Sequence, residues 1–185
     1  MEQQFQYYAF ISYKREDEKW AKWLQDRLRW YKLPSKLCRQ ITRLPKKVWP
    51  VFRDNTDLDS GRLEENIRHE LERSHYLIVI CSPEAARSPW VGKEVKYFAT
   101  LHGADKIIPF VVSGIPYSND IETECIHEQI KAISQEELLA INVREEGIGS
   151  FAMKKKRAFI RVVARLLDIK FNTLWQPYER ILRIR

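Results

Sequence analysis

Apolar positions along this chain fall into short solid runs, separated by longer stretches in which they recur with helical spacing. Tyr7–Ser12 reads YYAFIS, Tyr76–Cys81 reads YLIVIC and Ile107–Val112 reads IIPFVV. Such runs predict strands buried on both faces, as in a parallel sheet. Val48–Phe52, interrupted by Pro50, predicts a shorter strand, and Leu138–Val143 a fifth. Trp20, Trp23, Leu24, Leu28 and Tyr31 recur at helical spacing and predict an amphipathic helix over Asp17–Tyr31, with its tryptophans in the core. Leu63, Ile67 and Leu71 mark one face of a second helix, and Trp90, Val91, Val95, Phe98, Ala99 and Leu101 belong to a third. A further helix is predicted over Glu124–Ile133, and a last one over Phe151–Leu167 with Phe159, Val163, Leu166 and Leu167 inward. Leu33–Pro50 is broken by Pro34, Pro45 and Pro50 and predicts a long connection with one short helix.

Strands that alternate with helices in this way define an α/β chain. The expected fold is a flavodoxin-like five-stranded parallel sheet with helices on both faces and right-handed crossovers. With 185 residues, one domain is expected over 1–168, followed by a basic C-terminal helix or tail over 169–185. Leu174, Trp175, Tyr178, Ile181 and Leu182 give that last segment an apolar face. Packing on the domain, meeting a partner and leading into a further region are its three readings.

Composition narrows the picture. Hydrophobic residues make up 44% of the chain and charged residues 31%, which supports one substantial core and argues against disorder. No apolar run approaches the ~18 residues of a membrane span. MEQQFQYY at the N-terminus lacks a secretory signal, and Cys38, Cys81 and Cys125 form neither a disulfide framework nor a metal-binding pair. A cytoplasmic protein with reduced thiols is expected. The net charge of +7 is uneven. Arg27–Arg53 holds nine Lys or Arg and no acid, and Lys154–Arg185 holds ten bases against two acids, which leaves the rest of the chain strongly acidic. Such patches attract anions, but without a nucleic-acid motif they are expected to be solvated faces, and no specific nucleic acid is expected as a partner.

The candidate chemistry gathers after the third strand, in CSPEAARSPWVGKEV from Cys81 to Val95. Ser82 can cap a short helical turn with Pro83 at its first position, and Ser88 the next helix with Pro89 first. Trp90 and Glu94 then stand one turn apart on one helix face. An indole beside a carboxylate, past the carboxyl end of a strand, occupies the place where open α/β sheets bind ligands. Arg53–Gly61, RDNTDLDSG, carries three aspartates but lacks the spacing of a calcium loop. No metal set, nucleophile triad or Gly-rich phosphate loop is legible among only six glycines.

Four segments in order, AFISYK (Ala9–Lys14), VFRDNTDLDSG (Val51–Gly61), LIVICSP (Leu77–Pro83) and WVGKE (Trp90–Glu94), resemble a bacterial Toll/interleukin-1 receptor (TIR) domain over roughly Tyr7–Leu167. The resemblance implies the parallel-sheet fold and, through the Trp-x-x-x-Glu pair, the branch of the family that cleaves NAD. Glu94 would be the catalytic acid and Trp90 its aromatic neighbour. Tyr13, Lys14 and Arg15 would lie near the nicotinamide ribose and phosphates. Asp54, Leu58 and Gly61 would lie in a loop that closes the site, with Phe52 and Ser82 completing the substrate contacts. Two departures stand out: the insertion at Leu33–Pro50, and Lys14 where enzymatic relatives often carry arginine.

One carboxylate suffices for this chemistry. Nicotinamide leaves a cationic pyridinium as a neutral molecule, so no general acid is needed, and a carboxylate near the ribose can stabilise the oxocarbenium-like transition state. Capture by water would yield ADP-ribose, and capture within the substrate a cyclic isomer. The resemblance thus implies an NAD+ nucleosidase that uses NAD+ as substrate without a cofactor, in bacterial antiphage or immune signalling. The alternative is a non-enzymatic module that self-associates through TIR–TIR contacts. A phosphoacceptor receiver of the same fold is set aside, since Tyr13 and Lys14 stand where its acids should be.

Overall fold

The computed structural model of the chain describes residues 4–54, 62–134 and 137–176. Five strands form one parallel sheet: β1 (Tyr7–Ser12), β2 (Val51–Arg53), β3 (Ser74–Cys81), β4 (Ile107–Val111) and β5 (Ile141–Asn142). Their order across the sheet is β2-β1-β3-β4-β5, every pair parallel, which is the flavodoxin-like arrangement anticipated from the alternation.

Helices cover both faces because the strands bury both. On one side Ala9, Ile11, Val51, Ile78, Ile80 and Phe110 meet α1 (Glu18–Trp30) and α7 (Phe151–Leu167). On the other, Phe10, Leu77, Val79 and Val111 meet α3 (Arg62–Glu72) and α5 (Pro89–His102). Successive side chains of a strand point to opposite faces. Since Phe10 faces α5, Ser12 does too, and this places a buried hydroxyl on the α5 side at the carboxyl end of β1.

The basic connection contains one short helix, α2 (Ser35–Gln40), whose Leu37 joins the core with Leu33, Leu44 and Val48. Trp20 and Trp23 are half-buried against that core, with the Lys155 ammonium 5.1 and 4.5 Å from their ring centroids. All three cysteines are free thiols.

Three elements are shorter than their sequence pattern. Strand β2 starts only at Val51, after Pro50, although Val48 is buried. Strand β5 keeps only Ile141 and Asn142 of the expected Leu138–Val143. It lies at the sheet edge and pairs with β4 alone, while the Leu139 carbonyl accepts from the Arg165 guanidinium at 2.7 Å instead of a ladder N–H. The helix expected from Glu124 is α6 (Glu128–Ile133) and begins after His127. Glu124 instead organises the loop before it, accepting from the N–H groups of Tyr117 and Ile126 at 3.0 and 2.8 Å and from Lys131 Nζ at 2.6 Å. Burial opposes ionisation there, yet the lysine and these N–H groups hold the Glu124 carboxyl below its ordinary value.

Beyond α7 the chain turns at Asp168, whose φ of 51° is left-handed, and a helical segment follows over 171–176. Leu174 and Trp175 are buried in the main core, so this segment packs on the domain as far as it is described. Tyr178, Ile181 and Leu182 lie outside the described residues. Among the described residues no helix is long and apolar enough to cross a membrane.

Candidate active site

Two capping serines fix the entry to the site. Ser82 ends β3 and accepts the Ala85 N–H at 3.1 Å, starting α4 (Pro83–Ala86). Ser88 accepts the Val91 N–H at 3.3 Å and starts α5, with Pro89 at its first position. Both are N-caps in the expected pattern. They aim the first turns of α5 so that Glu94 comes over the carboxyl end of β1.

Glu94 is only 5% exposed, and its Oε2 is buried without a hydrogen-bond partner. Ser12 Oγ is buried and unpartnered in the same way. Burial drives the Glu94 carboxyl well above its usual range, the nearby Asp54 carboxylate adds to the rise, and Ser12 and the Trp90 indole partly offset it. Ser12 and Trp90 therefore face the carboxyl group, though neither closes a hydrogen bond to Oε2. A buried acid left this way carries a desolvation cost with no interior partner to relieve it. Such sites are where strongly perturbed carboxyls coincide with function.

Asp54 brings a second carboxylate into the field of Glu94, which the sequence did not indicate. The loop that holds it is tied down by Tyr13, whose hydroxyl donates to the Asp54 carbonyl. Arg53 in turn donates to Tyr13 Oη at 3.1 Å and to Gln25 Oε1 at 3.0 Å, and pairs with Glu18 at 3.5 Å. Five residues singled out from the sequence or adjoining them, Tyr13, Arg53, Asp54, Trp90 and Glu94, thus form one connected group with Ser12 at the ends of β1 and β2.

The remaining expected contacts fall elsewhere. Phe52 packs in the core, with its ring centroid 5.4 Å from Tyr7 and 5.1 Å from Phe10. Lys14 and Arg15 open a 3-10 turn over Arg15–Asp17, Lys14 half-buried and Arg15 exposed. Ser82 is fully buried and donates to Asp17 Oδ2 at 2.5 Å, so it supports the loop from beneath. Leu58 and Gly61 lie outside the described residues.

Glu94 and Trp90 also border a cavity of about 340 Å³ between α3 and α5, with Ile67, Leu71, Tyr97 and Thr100 along it. That size is in the range of small-molecule sites. Its α5 members repeat at three- and four-residue intervals from Trp90, a spacing that was visible in the sequence but was read only as core. Among the described residues no three His, Cys, Asp or Glu side chains gather into a metal-binding group.

A doubly wound parallel sheet with a buried acid and an indole at the carboxyl end of its strands defines the class. The family model of the TIR domain matches residues 9–146, and the chain belongs to that family. It is 36% identical over 110 residues to the NAD(+) hydrolase ApTIR of an Actinoplanes species, a match that covers 58% of this chain and 14% of that protein. The chain therefore spans a small part of that relative's length. A solved structure of the activated Roq1 resistosome recognising the pathogen effector XopQ has TIR domains similar in fold, with a TM-score of 0.55 over 83% of this chain and 98% of that one, at 14% identity.

Proposed function

We propose that this chain cleaves the N-glycosidic bond of NAD+, with Glu94 as the catalytic carboxylate. The observation that carries the reading is the buried, unpartnered Oε2 of Glu94 beside Trp90, on a cavity able to admit a small molecule. The similarity to an NAD(+) hydrolase supports the same substrate.

In this reading the bond between ribose C1′ and the pyridinium nitrogen breaks, and its electron pair goes to nitrogen, so nicotinamide leaves neutral. Positive charge develops on the ribose, and the Glu94 carboxylate stabilises it in a water-poor site. Arrival of the cationic substrate favours ionisation of an acid that burial otherwise keeps protonated. Attack by water at C1′, with loss of a proton, gives ADP-ribose; attack by a nitrogen of the substrate's adenine gives a cyclic isomer. Trp90 offers a stacking surface that would favour the folded-back adenine. Tyr13, Lys14, Arg15 and Asp54 contribute from the loops above the site. Ser82 acts as a positioning residue through Asp17.

The test is nicotinamide release from NAD+ by the concentrated full chain, followed by chromatography beside Glu94→Ala. Release by the wild type and its loss in the variant are expected, and the second product peak separates linear from cyclic ADP-ribose. Absence of release from concentrated wild type rejects the proposal.

A second reading is a self-associating interaction module, supported by the assembly in which the structurally similar TIR domains are found. It predicts concentration-dependent association without turnover. A cytoplasmic role in bacterial antiphage signalling, through depletion of NAD+ or production of a nucleotide messenger, belongs to the catalytic reading and stands or falls with it.

A further inference from the structure

The cavity at Glu94 runs on as a groove down α5. From Trp90 to Thr100 it follows about 15 Å of helix, at the usual rise of 1.5 Å per residue. Its floor is apolar, made by Ile67 and Leu71 of α3 and by Tyr97 of α5. Its rim is cationic: Lys93 and Lys96 stand on α5 and Arg68 on α3. The Arg68 guanidinium lies 5.3 Å from the Tyr97 ring centroid, and the Tyr97 hydroxyl donates to Glu72 at 2.5 Å, so the ring is held in place. Lys93 and Lys96 are solvent-exposed. One end of the groove therefore has a buried acid, its middle has positive charge, and its far end has a held aromatic ring on an apolar floor. That order matches the parts of a dinucleotide: a ribose that becomes cationic, a pyrophosphate with two negative charges, and a flat purine.

We propose that the groove between α3 and α5 binds the ADP half of the dinucleotide, with its pyrophosphate at Lys93 and Lys96 and its adenine over Leu71 and Tyr97. The proposal rests on the dinucleotide reading above and gives the substrate a direction. The ADP half runs down α5, away from the Tyr13–Arg15 loop where the sequence resemblance put the phosphates. Charge complementarity favours this route, because the loop's own arginine neighbour, Arg53, is already engaged by Tyr13, Gln25 and Glu18. The two lysines also border the adjoining cavity between α5 and α6, so they form a crest that an anion can approach from solvent.

Calorimetric titration of the full chain with ADP tests the proposal without requiring turnover. Lys93→Ala/Lys96→Ala is expected to weaken ADP binding at least tenfold. Lys22→Ala/Lys36→Ala, which removes the same charge from the opposite side of the sheet, should change it less than twofold. All four positions are exposed, so the variants should fold, and a thermal melt checks this. With NAD+ as substrate, the Lys93/Lys96 variant should show a rise in KM larger than any fall in kcat. The proposal is overturned if wild type does not bind ADP, if the Lys93/Lys96 variant binds it equally well, or if the control pair weakens binding as much. ADP binding without nicotinamide release would support the groove and reject the glycosidic reading; release with no dependence on the two lysines would do the reverse.

Discussion

The Ser82 hydroxyl, at the carboxyl end of β3, donates a 2.5 Å hydrogen bond to the carboxylate of Asp17, at the end of the loop that follows β1. The bond crosses the place where the strand order reverses, between β1 and β3. Open α/β sheets usually bind ligands in that crevice. Here a buried side-chain pair occupies it, and the cavity that remains lies to one side, between α3 and α5. Ser82→Ala should destabilise the chain by about 2–3 kcal/mol, since it removes a helix cap and strands a buried carboxylate. Asp17→Asn, which keeps an acceptor, should cost less. Urea unfolding of the two variants measures the difference.

The proton on Glu94 links stability to pH. In the folded chain burial raises its pKa well above 4.5, whereas in the unfolded chain it ionises near that value. The native state then binds more protons than the unfolded one, so this group's contribution is greatest at low pH and is lost as pH rises from the unfolded pKa through the folded one. Glu94→Gln should therefore melt higher than wild type at pH 8, by on the order of 1–3 kcal/mol, with the gap shrinking toward pH 4. A gap that grows on acidification would contradict the burial of a neutral acid.

The same proton should appear in turnover. If the carboxylate is the active form, kcat/KM for NAD+ rises with pH through the raised pKa of the free protein. Substrate binding, which favours the charged acid, should move the corresponding limb of kcat to lower pH. A rate profile over pH 5 to 9 reads both limbs.

Gly92 is where α5 meets His127 most closely. A Cβ there would stand 2.5 Å from His127 Cε1 and 2.8 Å from Nε2. The ring cannot swing aside cheaply, because Nε2 donates to the Ser88 carbonyl at 2.9 Å and Nδ1 accepts from the Gln129 N–H at 3.0 Å. These partners assign the tautomer. Gly92→Ala should cost about 1–3 kcal/mol by overpacking. In His127→Ala the same substitution should be nearly neutral, a coupling that a double-mutant cycle of thermal melts would show.

Residues 171–176 are structurally part of the domain despite following the expected boundary at 168. Trp175 stacks on Phe171 at 5.6 Å, the Arg157 guanidinium lies 5.2 Å from its ring, and Arg43 donates to the Leu167 carbonyl at 3.1 Å nearby. A chain ended after Asp168 should lose at least about 3 kcal/mol of stability, the cost of emptying the sites of Leu174 and Trp175. A urea midpoint unchanged by the truncation would restore the boundary at 168.

Local pattern carried the fold. Tyr7–Ser12 and Phe151–Leu167 have their expected bounds because solid apolar runs and helical periodicity are properties of neighbouring residues, and the caps at Ser82 and Ser88 follow from side chains reaching their own next turn. The pair of Trp90 and Glu94 was legible for the same reason. What lay beyond the sequence was every relation between distant segments. It did not show that Ser12 faces Glu94 from another strand, that Asp54 adds a second carboxylate, or that Ser82 is spent on Asp17. Nor did it show that Arg68 meets Lys93 and Lys96 across a groove. Edge effects were equally hidden, since only the assembled sheet leaves Leu139 without a ladder partner. The sequence by itself determined the strands, the helices and the acid on offer; the packing of α3 and α5 on the sheet decided that this acid is buried, unpartnered and open to a cavity, because burial and electrostatic coupling arise only where remote parts of the chain meet.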